Sequence, residues 1–331
     1  MKANAYGHGL VEVATKLQSL KIDYLGVAYI EEALFLRKNS IKVPILVLGA
    51  IDNSQIPLFL ENDIDIPGSS IEKLEEISRV ATQMNIKANV HIKIDTGMGR
   101  IGVQWDRKET FVEKAYSLPN LNIVGIYSHF ANSTDDIEYT KEQIKRFKSV
   151  LSYIEEKYTL PNLVHLGNSG SVFNNIEEAF FDMIRPGLML YGYSYNPDIQ
   201  KLLKPVMKFK TKVSYFKVLE EGLTIGYDRT YTTKERTRIV TLPVGYADGY
   251  PRSLSNTGEV FLNENFYPVA GRVCMDQTMV DITPQGEAYV GDDVELWGEK
   301  ISLFKISDES DRSIYDLLCG ISERVPRIYI D

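Results

Sequence analysis

The spacing of hydrophobic residues changes near residue 205 and divides the chain into two parts. From Lys2 to about Tyr193, seven short apolar runs alternate with amphipathic segments whose apolar residues recur three and four positions apart. The runs read DYLGVAY, VPILVLG, DIDIPGS, NVHIKID, NIVGIYSHF, NLVHLGNS and FDMIRPGLML. The clearest amphipathic segments read SIEKLEEISRVATQM and TKEQIKRFKSVLSYIEEKY. Strands that alternate with helices in this way predict a parallel sheet.

The number of strands favours a closed barrel. Seven visible strands, with one more expected immediately before Lys2, make the eight of a (β/α)8 TIM-type barrel. Only Met1 precedes Lys2, so we expect that the first barrel strand is missing and that Met1 is an internal methionine of it. An open doubly wound sheet would give a similar rhythm and is the alternative.

The pattern changes after Pro205, where helical periodicity nearly disappears. Runs such as VMKFKTKVSYFKV, TRIVTLPVG and DDVELW alternate polar and apolar residues between glycine-bearing turns, as antiparallel strands with one wet face do. We also predict one late helix around SIYDLLCGIS and a final strand RIYI. The predicted organisation is a barrel over 1–204 followed by a mainly antiparallel β domain over 205–331.

The composition of the chain restricts the kinds of molecule that the protein could bind. The chain has 331 residues, a formal net charge of -8 and a pI near 5.3, so it lacks the basic surface that nucleic acid or an anionic membrane requires. Its longest apolar stretches, such as VPILVLGAI, are shorter than the roughly 20 residues that span a bilayer. The two cysteines, Cys274 and Cys319, are too few for a disulfide framework or a zinc cluster. These features predict a cytoplasmic protein without a metal site or a membrane contact.

Several polar residues stand where the predicted strands end, and barrel enzymes build their active sites at those ends. They are Lys2, Arg100, His129, His165, Asn168, Ser169 and Arg185. Each has a simpler interpretation. Lys2 could be a solvated surface charge, the two histidines could be satisfied structural residues, and Arg100 could pair with Asp95. Their recurrence at the same end of successive strands favours a functional site.

Motifs along the whole chain resemble those of the alanine racemases, which are bacterial pyridoxal phosphate enzymes of fold type III. In order they read KANAYGHG, HIKIDTGMGRIG, SHFANSTD, HLGNSGS, IRPGLMLYG, IGYDRTY, PVGYADGYPR, GRVCMDQ and ERVPR. The resemblance implies a homodimer with shared active sites. It also implies racemisation of alanine with pyridoxal 5'-phosphate, which supplies D-alanine for cell-wall peptidoglycan.

The resemblance also assigns catalytic and cofactor-binding roles. It makes Lys2 the covalent anchor of the cofactor and one of two bases, and Tyr227 of the partner subunit the second base. Without the other motifs, Tyr227 would be interpreted as a half-buried strand aromatic. The cofactor phosphate and ring would be held by Tyr6, His129, Asn168, Ser169, Arg185, Tyr315 and the backbone of Gly187 and Leu188.

Arg185 carries an implication for reaction type. It would face the pyridine nitrogen with His165 behind it, and a guanidinium cannot give up its proton, so the nitrogen would stay unprotonated and the ring would be a weaker electron sink. This arrangement favours removal and return of the α proton over transamination.

The remaining implied roles concern the substrate. Arg100 and Met275 of the partner subunit match positions that meet the substrate carboxylate, a task that suits the planar guanidinium fork. Lys93 matches a position that is carbamylated in many members, and Tyr246 matches a residue that lines the entrance.

Three other functions remain open. A serine racemase differs only by a small change of pocket, although the bulky Tyr315 favours the smaller substrate. A decarboxylase of the same fold is disfavoured because no motif like CESCD occurs. A pyridoxal phosphate carrier or regulator without turnover would lack a β domain, and here that domain bears Tyr227 and Met275.

Overall fold

The chain forms two compact units. The computed structural model describes residues 1–284 and 286–330. One unit contains Met1–Ala5 and Gly9–Lys204, and the other contains Tyr6–His8 and the chain from Pro205 onward. The first unit alternates strands and helices, whereas the second is built mainly from antiparallel strands.

The strands of the first unit are parallel and follow chain order. They are β1 Leu25–Val27, β2 Ile45–Val47, β3 Ile66–Gly68, β4 Ala88–Asp95, β5 Val103–Gln104, β6 Leu121–Tyr127 and β7 Leu163–His165. β1 pairs with β2, and β3, β4, β6 and β7 pair in that order, while the short β5 pairs with the end of β4. A bridge from Leu46 to Asp65 joins the two groups. A doubly wound sheet would reverse its strand order, so this succession confirms the barrel-type prediction.

The seventh predicted strand, FDMIRPGLML, is wrong. Only one parallel bridge forms there, between Asn168 and Arg185, with the Arg185 amide donating to the Gly167 carbonyl at 2.9 Å. The next amide on the same side, that of Gly187, donates to Ser169 Oγ at 2.8 Å instead of to a backbone carbonyl, so the ladder does not continue. The chain then turns into a 3-10 helix, Leu188–Tyr191.

Helices connect the parallel strands. They are α1 Leu10–Ser19, α2 Ile30–Lys38, α3 Ile56–Glu61, α4 Ile71–Met84, α5 Lys108–Ser117, α6 Ile137–Lys157, α7 Ser169–Phe173 and α8 Pro197–Gln200. The amphipathic pattern explains α4: the Ser70 side chain caps its first turn, and its buried residues include Leu74, Ile77 and Ala81, three and four positions apart. These faces complete one apolar core around the strands.

In its described residues the second unit contains three antiparallel sheets, which confirms the predicted β domain. Its strands are β8 Phe209–Lys212, β9 Tyr215–Leu219, β10 Thr224–Ile225, β11 Tyr231–Thr232, β12 Thr237–Leu242, β13 Glu259–Leu262, β14 Asn265–Pro268, β15 Thr278–Asp281 and β16 Asp293–Trp297. Their orders are β15-β12-β9, β14-β13-β16-β8 and the pair β10-β11. Two helices follow, α9 Leu303–Ser310 and α10 Ile314–Cys319, and α10 is the predicted late helix.

The predicted final strand RIYI is also wrong, because residues 327–330 form no strand in the described part of the chain. Side-chain hydrogen bonds hold this segment in place. Arg327 donates to the carbonyls of Gly7, Ile321, Ser322 and Val325, and the Tyr329 hydroxyl donates to the His8 carbonyl at 3.0 Å. A β-ladder requires repeated hydrogen bonds between two backbones, and these side-chain hydrogen bonds do not provide them. Within residues 1–284 and 286–330, no helix is long and apolar enough to cross a membrane.

Candidate active site

Lys2 opens a turn with an unusual backbone. The four residues after it, 3–6, have φ between 52° and 55°, the left-handed region that side-chain-bearing residues rarely adopt. Asn4 stabilises the turn: its carbonyl accepts from the Gly9 amide at 3.1 Å, and its side chain accepts from the Leu10 amide at 2.8 Å. Such strained backbone concentrates at functional sites. Nothing in the sequence predicted it, since none of residues 3–6 is glycine.

Several of the candidates in the first unit act electrostatically on one histidine, His129. Burial lowers the pKa of the His129 imidazole well below its ordinary value, and the charges of Arg185, Lys93, Arg100 and Lys2 lower this pKa further. The ring is therefore neutral at physiological pH. The four side chains that act on this ring come from separate parts of the first unit.

Lys93 is a buried amine without a counter-ion. Its Nζ atom makes no hydrogen bond to any residue in the described ranges and lies 4.5 Å from the centroid of the Tyr127 ring. Burial lowers the pKa of Lys93 well below its ordinary value; Arg185 and Arg100 lower it further, and Asp95 opposes them. Burial and the two neighbouring cations therefore favour the neutral form of this amine.

Arg100 does not pair with Asp95, so the simpler interpretation of this arginine is wrong. Asp95 Oδ1 instead accepts from the backbone amides of Gly97, Met98 and Gly99 at 2.9, 2.9 and 3.1 Å. Among the described residues Arg100 forms no salt bridge, and its side chain is exposed. Its guanidinium fork is available to an anionic ligand.

Ser169 and Gly187 form a turn rich in hydrogen-bond donors. The Gly187 amide donates to Ser169 Oγ at 2.8 Å, although the two residues lie 18 positions apart. Asn168 orders this turn, because its Oδ1 accepts from the Ser171 amide at 3.1 Å and from the Ser133 hydroxyl at 2.7 Å. A serine hydroxyl among backbone amides is the type of donor set that a phosphate oxygen accepts from.

Arg185 is held from behind by His165. Its Nη1 lies 2.8 Å from His165 Nδ1, and its Nη2 donates to the carbonyls of Ser128 and Leu166 at 2.7 and 3.1 Å. Burial lowers the pKa of Arg185 to about 10, which leaves it cationic at neutral pH. Burial, the Arg185 charge and the neighbouring His91 lower the pKa of His165 well below its ordinary value.

The sequence analysis missed three residues that continue this contact. His165 Nε2 lies 2.9 Å from His91 Nδ1, His91 Nε2 lies 3.1 Å from Asp65 Oδ2, and the Tyr24 hydroxyl donates to the same oxygen at 2.8 Å. One signal could have indicated His91. It stands two positions before Lys93 in β4, and residues two apart on a strand share a face.

The candidates of the second unit are more exposed. Tyr227, Met275, Tyr246 and Tyr315 are 68%, 53%, 42% and 42% exposed. Tyr227 opens a 3-10 turn, Tyr227–Arg229, so the interpretation as a half-buried strand aromatic is wrong.

The loops of Tyr246 and Met275 are joined. The Tyr246 amide donates to the Cys274 carbonyl at 3.0 Å, and Arg324 contacts both Asp248 and Asp276 at 2.7 Å. Tyr246, the candidate at the active-site entrance, and Met275, a candidate substrate-binding residue, therefore lie on loops that contact each other within this unit.

Tyr6 and Tyr315 also lie together in the second unit, with ring centroids 5.9 Å apart. Burial and the nearby Tyr315 and Cys319 raise the pKa of the Tyr6 phenol to about 12, so it keeps its proton and can donate it in a hydrogen bond. Among residues 1–284 and 286–330, no group of His, Cys, Asp or Glu side chains could hold a metal ion.

The fold and these contacts define a class. A parallel β/α barrel that gathers amines, guanidinium groups, a neutral imidazole and a serine-amide turn, followed by a β domain, is an enzyme built for a small anionic molecule. The chain matches the family models for the alanine racemase N-terminal domain over residues 1–195 and the alanine racemase C-terminal domain over residues 206–329.

Individual relatives agree over nearly the whole length. Alanine racemase 2 of Caldanaerobacter subterraneus subsp. tengcongensis is 42% identical over 338 residues, which cover 100% of this chain and 87% of that protein. The structure of alanine racemase from Clostridium difficile superposes with a TM-score of 0.93 at 35% identity, covering 98% and 86% of the two chains. That of Bartonella henselae alanine racemase with covalently bound pyridoxal phosphate gives 0.89 at 30%, covering 99% and 91%. This chain belongs to the alanine racemase family, which confirms the resemblance found in its motifs.

Proposed function

We propose that this protein interconverts L-alanine and D-alanine with pyridoxal 5'-phosphate as its cofactor. The observation that carries the proposal is that Lys2, which opens a left-handed turn, and the exposed guanidinium of Arg100 belong to a unit that matches the alanine racemase N-terminal domain. This set supplies an amine that can anchor the cofactor and a guanidinium that can bind a carboxylate.

The residues present fit the cofactor. Its dianionic phosphate would be held by the Ser169 hydroxyl, which already contacts the Gly187 amide, by the Leu188 amide and by the phenols of Tyr6 and Tyr315. Asn168 would keep the Ser169 turn in place, and the neutral His129 ring would pack against the pyridine without adding charge. Lys2 would be the covalent anchor.

The protein supplies proton transfer at the substrate α carbon. The cofactor, when bound, withdraws electrons from that carbon and makes its proton more acidic. Lys2 would then remove or return the proton on one face, and Tyr227 of the partner subunit would do so on the other. A phenol has an ordinary pKa near 10, so this base requires positive charge nearby in the assembled site.

Arg185 would restrict the chemistry to racemisation. Its guanidinium cation faces His165 and two backbone carbonyls, which leaves no acidic group to protonate a ring nitrogen placed against it. By keeping that nitrogen unprotonated, Arg185 would limit the electron withdrawal that the cofactor supplies, which would favour return of the proton to the α carbon over transamination.

Lys93 would be carbamylated and would orient Arg100. A buried neutral amine is the form that reacts with carbon dioxide: Nζ bonds to the carbon, one N–H proton leaves to solvent, and an anionic carbamate remains. This anion would offset the two neighbouring cations and hold the Arg100 fork toward the substrate carboxylate, with Met275 of the partner subunit beside it.

We further propose a homodimer with shared active sites. In this assembly residues 1–204 bind the cofactor, and residues 205–331 supply Tyr227, Met275 and Tyr246 to the other subunit. The exposure of these three side chains within their own unit supports the proposal, because chemically used side chains need a partner surface. The low number of cysteines, two in the whole chain, supports a cytoplasmic location, where the product would serve peptidoglycan synthesis.

A parallel assay tests the proposed reaction. The purified protein with added cofactor is incubated with L-alanine or L-serine, and D-amino acid is measured, with Lys2→Ala as the inactive control. We expect D-alanine to form faster than D-serine, because the bulky Tyr315 favours a methyl side chain. Faster conversion of serine would identify a serine racemase, and cofactor binding without turnover of either substrate would identify a carrier or regulator.

A further inference from the structure

A continuous line of buried polar contacts leads away from the candidate active site. It runs from Arg185 through His165 and His91 to Asp65, with joining distances of 2.8, 2.9 and 3.1 Å. His91 and His165 have no exposed surface, and Asp65 is 4% exposed. We call these four residues the relay.

Donor and acceptor rules give the relay a single direction. Guanidinium can only donate, so Nδ1 of His165 must accept and its hydrogen must sit on Nε2. His165 Nε2–H then donates to His91 Nδ1, which places the hydrogen of His91 on its Nε2. That hydrogen is donated to the carboxylate of Asp65, which can accept but not donate. Every contact is satisfied only if both histidines are neutral and carry hydrogen on Nε2.

We propose that His91 and Asp65 are positioning residues that fix the tautomer of His165 and thereby keep Arg185 oriented as a donor toward the cofactor site. The role of Arg185 rests on the proposed function, whereas the tautomer assignment does not. If Asp65 no longer accepted, His91 could carry hydrogen on Nδ1. His165 would then carry hydrogen on its own Nδ1, which would oppose the guanidinium donor.

The barrel wall is shaped around the His91 ring. His91 pairs with Gly125 across β4 and β6, and the register of this pair shifts between Val90 and His91. A Cβ atom on Gly125 would lie 2.2 Å from His91 Nδ1, so only glycine leaves room for the ring. The imidazole therefore crosses the β6 position to reach His165 on β7, which a side chain at residue 125 would prevent.

Aromatic contacts prevent the two imidazoles from turning. The Tyr127 ring stacks on His165 with a centroid distance of 5.0 Å and an interplanar angle of 4°. The Tyr24 ring meets His91 edge-on at 5.7 Å, and its hydroxyl shares the Asp65 oxygen. Fixed rings and a fixed acceptor are the usual means of selecting a histidine tautomer.

Nitrogen-15 NMR of the imidazole rings tests the proposal without any activity measurement. The chain contains four histidines, so the spectrum of the protein before cofactor is added is small enough to assign. We expect His91 and His165 both to be neutral with hydrogen on Nε2. Hydrogen on Nδ1 of either residue, or a doubly protonated ring, in the unsubstituted protein would overturn the proposal.

Matched variants separate the acceptor from its charge. Asp65→Asn retains an oxygen that can accept and should keep both tautomers, whereas Asp65→Ala should leave His91 and His165 as tautomer mixtures. Val90→Ala is the control, because Val90 is buried and lies next to His91 on β4. This substitution should change the stability of the protein but neither histidine tautomer. If Asp65→Ala keeps both tautomers, Asp65 does not select them.

Kinetics then link the relay to the reaction. In Asp65→Ala we expect kcat for alanine to fall about tenfold, because loss of the residue that orients a functional histidine usually lowers activity by about this factor. We also expect the ratio of pyruvate to D-alanine to rise. KM should change less than about twofold, because Arg185 does not bind the carboxylate. Correct tautomers in a protein that racemises nothing would refute the proposed function alone. Active enzyme with the wrong tautomers would refute the relay alone.

Discussion

The candidate residues of the barrel unit and those of the β domain differ in how deeply their side chains are buried within their own unit. Arg185, His165 and Lys93 are buried or half-buried, and their neighbours move their pKa values. Tyr227 and Met275 are more than half exposed on turns of the second unit. The barrel residues are surrounded by buried polar groups of their own unit, whereas Tyr227 and Met275 present most of their side chains at the surface of theirs.

This difference indicates where each substitution should act. Changes in the barrel unit should alter the chemical step, because charge and hydrogen bonding are built into its interior. Changes in the loops of the β domain should alter mainly substrate affinity, except at Tyr227, which is proposed as a base.

The largest effect should come from Lys2. Lys2→Ala removes both the covalent anchor and one base, so kcat should fall roughly 10⁴-fold. In the unsubstituted protein, borohydride reduction followed by peptide mapping should find the pyridoxyl group on Lys2. Label on any other lysine would contradict the assignment of the anchor.

Arg185→Glu should change the type of reaction as well as its rate. A carboxyl group in place of the guanidinium permits protonation of the ring nitrogen, so the electron sink becomes stronger and pyruvate should appear. Racemisation should slow about 10²- to 10³-fold, because the contact to His165 is lost. The measurement compares D-alanine and pyruvate over one time course, and loss of activity without pyruvate would make Arg185 a structural residue only.

Lys93→Met tests the buried amine. Without a carbamate to orient Arg100, kcat/KM for alanine should fall about 10- to 100-fold. With carbon-13 bicarbonate, the parent should give a carbamate signal that is absent in Lys93→Met and retained in Lys87→Met, a substitution at an exposed lysine just before β4. A parent protein without a carbamate signal would rule the modification out.

The smallest effect should come from the tie between two β-domain loops. Arg324→Gln removes the contacts to the buried Asp248 and the exposed Asp276, so the loops of Tyr246 and Met275 should loosen. KM should rise about threefold with kcat unchanged, because the Arg324 side chain is itself half exposed and such ion pairs contribute little. Arg79→Gln, which breaks an exposed pair within α4, is the control and should leave KM unchanged. Equal behaviour of the two variants would show that Arg324 does not position these loops.

The sequence predicted the elements better than it predicted their contacts. Helix α4 followed from its apolar spacing, and the change to period two after Pro205 predicted the antiparallel sheets. The failed strand at FDMIRPGLML shows a limit, since an apolar run carries the strand pattern although the Gly187 amide donates to the Ser169 side chain instead of to a ladder.

The relay shows a stronger limit. His91 lies 26 residues from Asp65 and 74 from His165, and the adjacency of β3, β4, β6 and β7 brings the three together. Gly125 looked like an ordinary strand residue, and its function is to leave space for a ring from the next strand. Likewise, the left-handed turn after Lys2 could not be anticipated, because of its four residues only Asn4 belongs to a type that visits positive φ, and it does so as a single residue rather than in a run.

Subunit complementation tests the central claim, that a barrel unit from one subunit and a β domain from the other form one active site. Lys2→Ala and Tyr227→Phe proteins, each inactive, are mixed in equal amounts under conditions of confirmed subunit exchange. Half of the dimers should be mixed and each should contain one intact site, so activity should recover to about one quarter of the parent value. A mixture of Lys2→Ala with Arg185→Glu should not recover, because both changes fall in the barrel unit. Recovery in this control, or no recovery in the first mixture, would contradict the shared site.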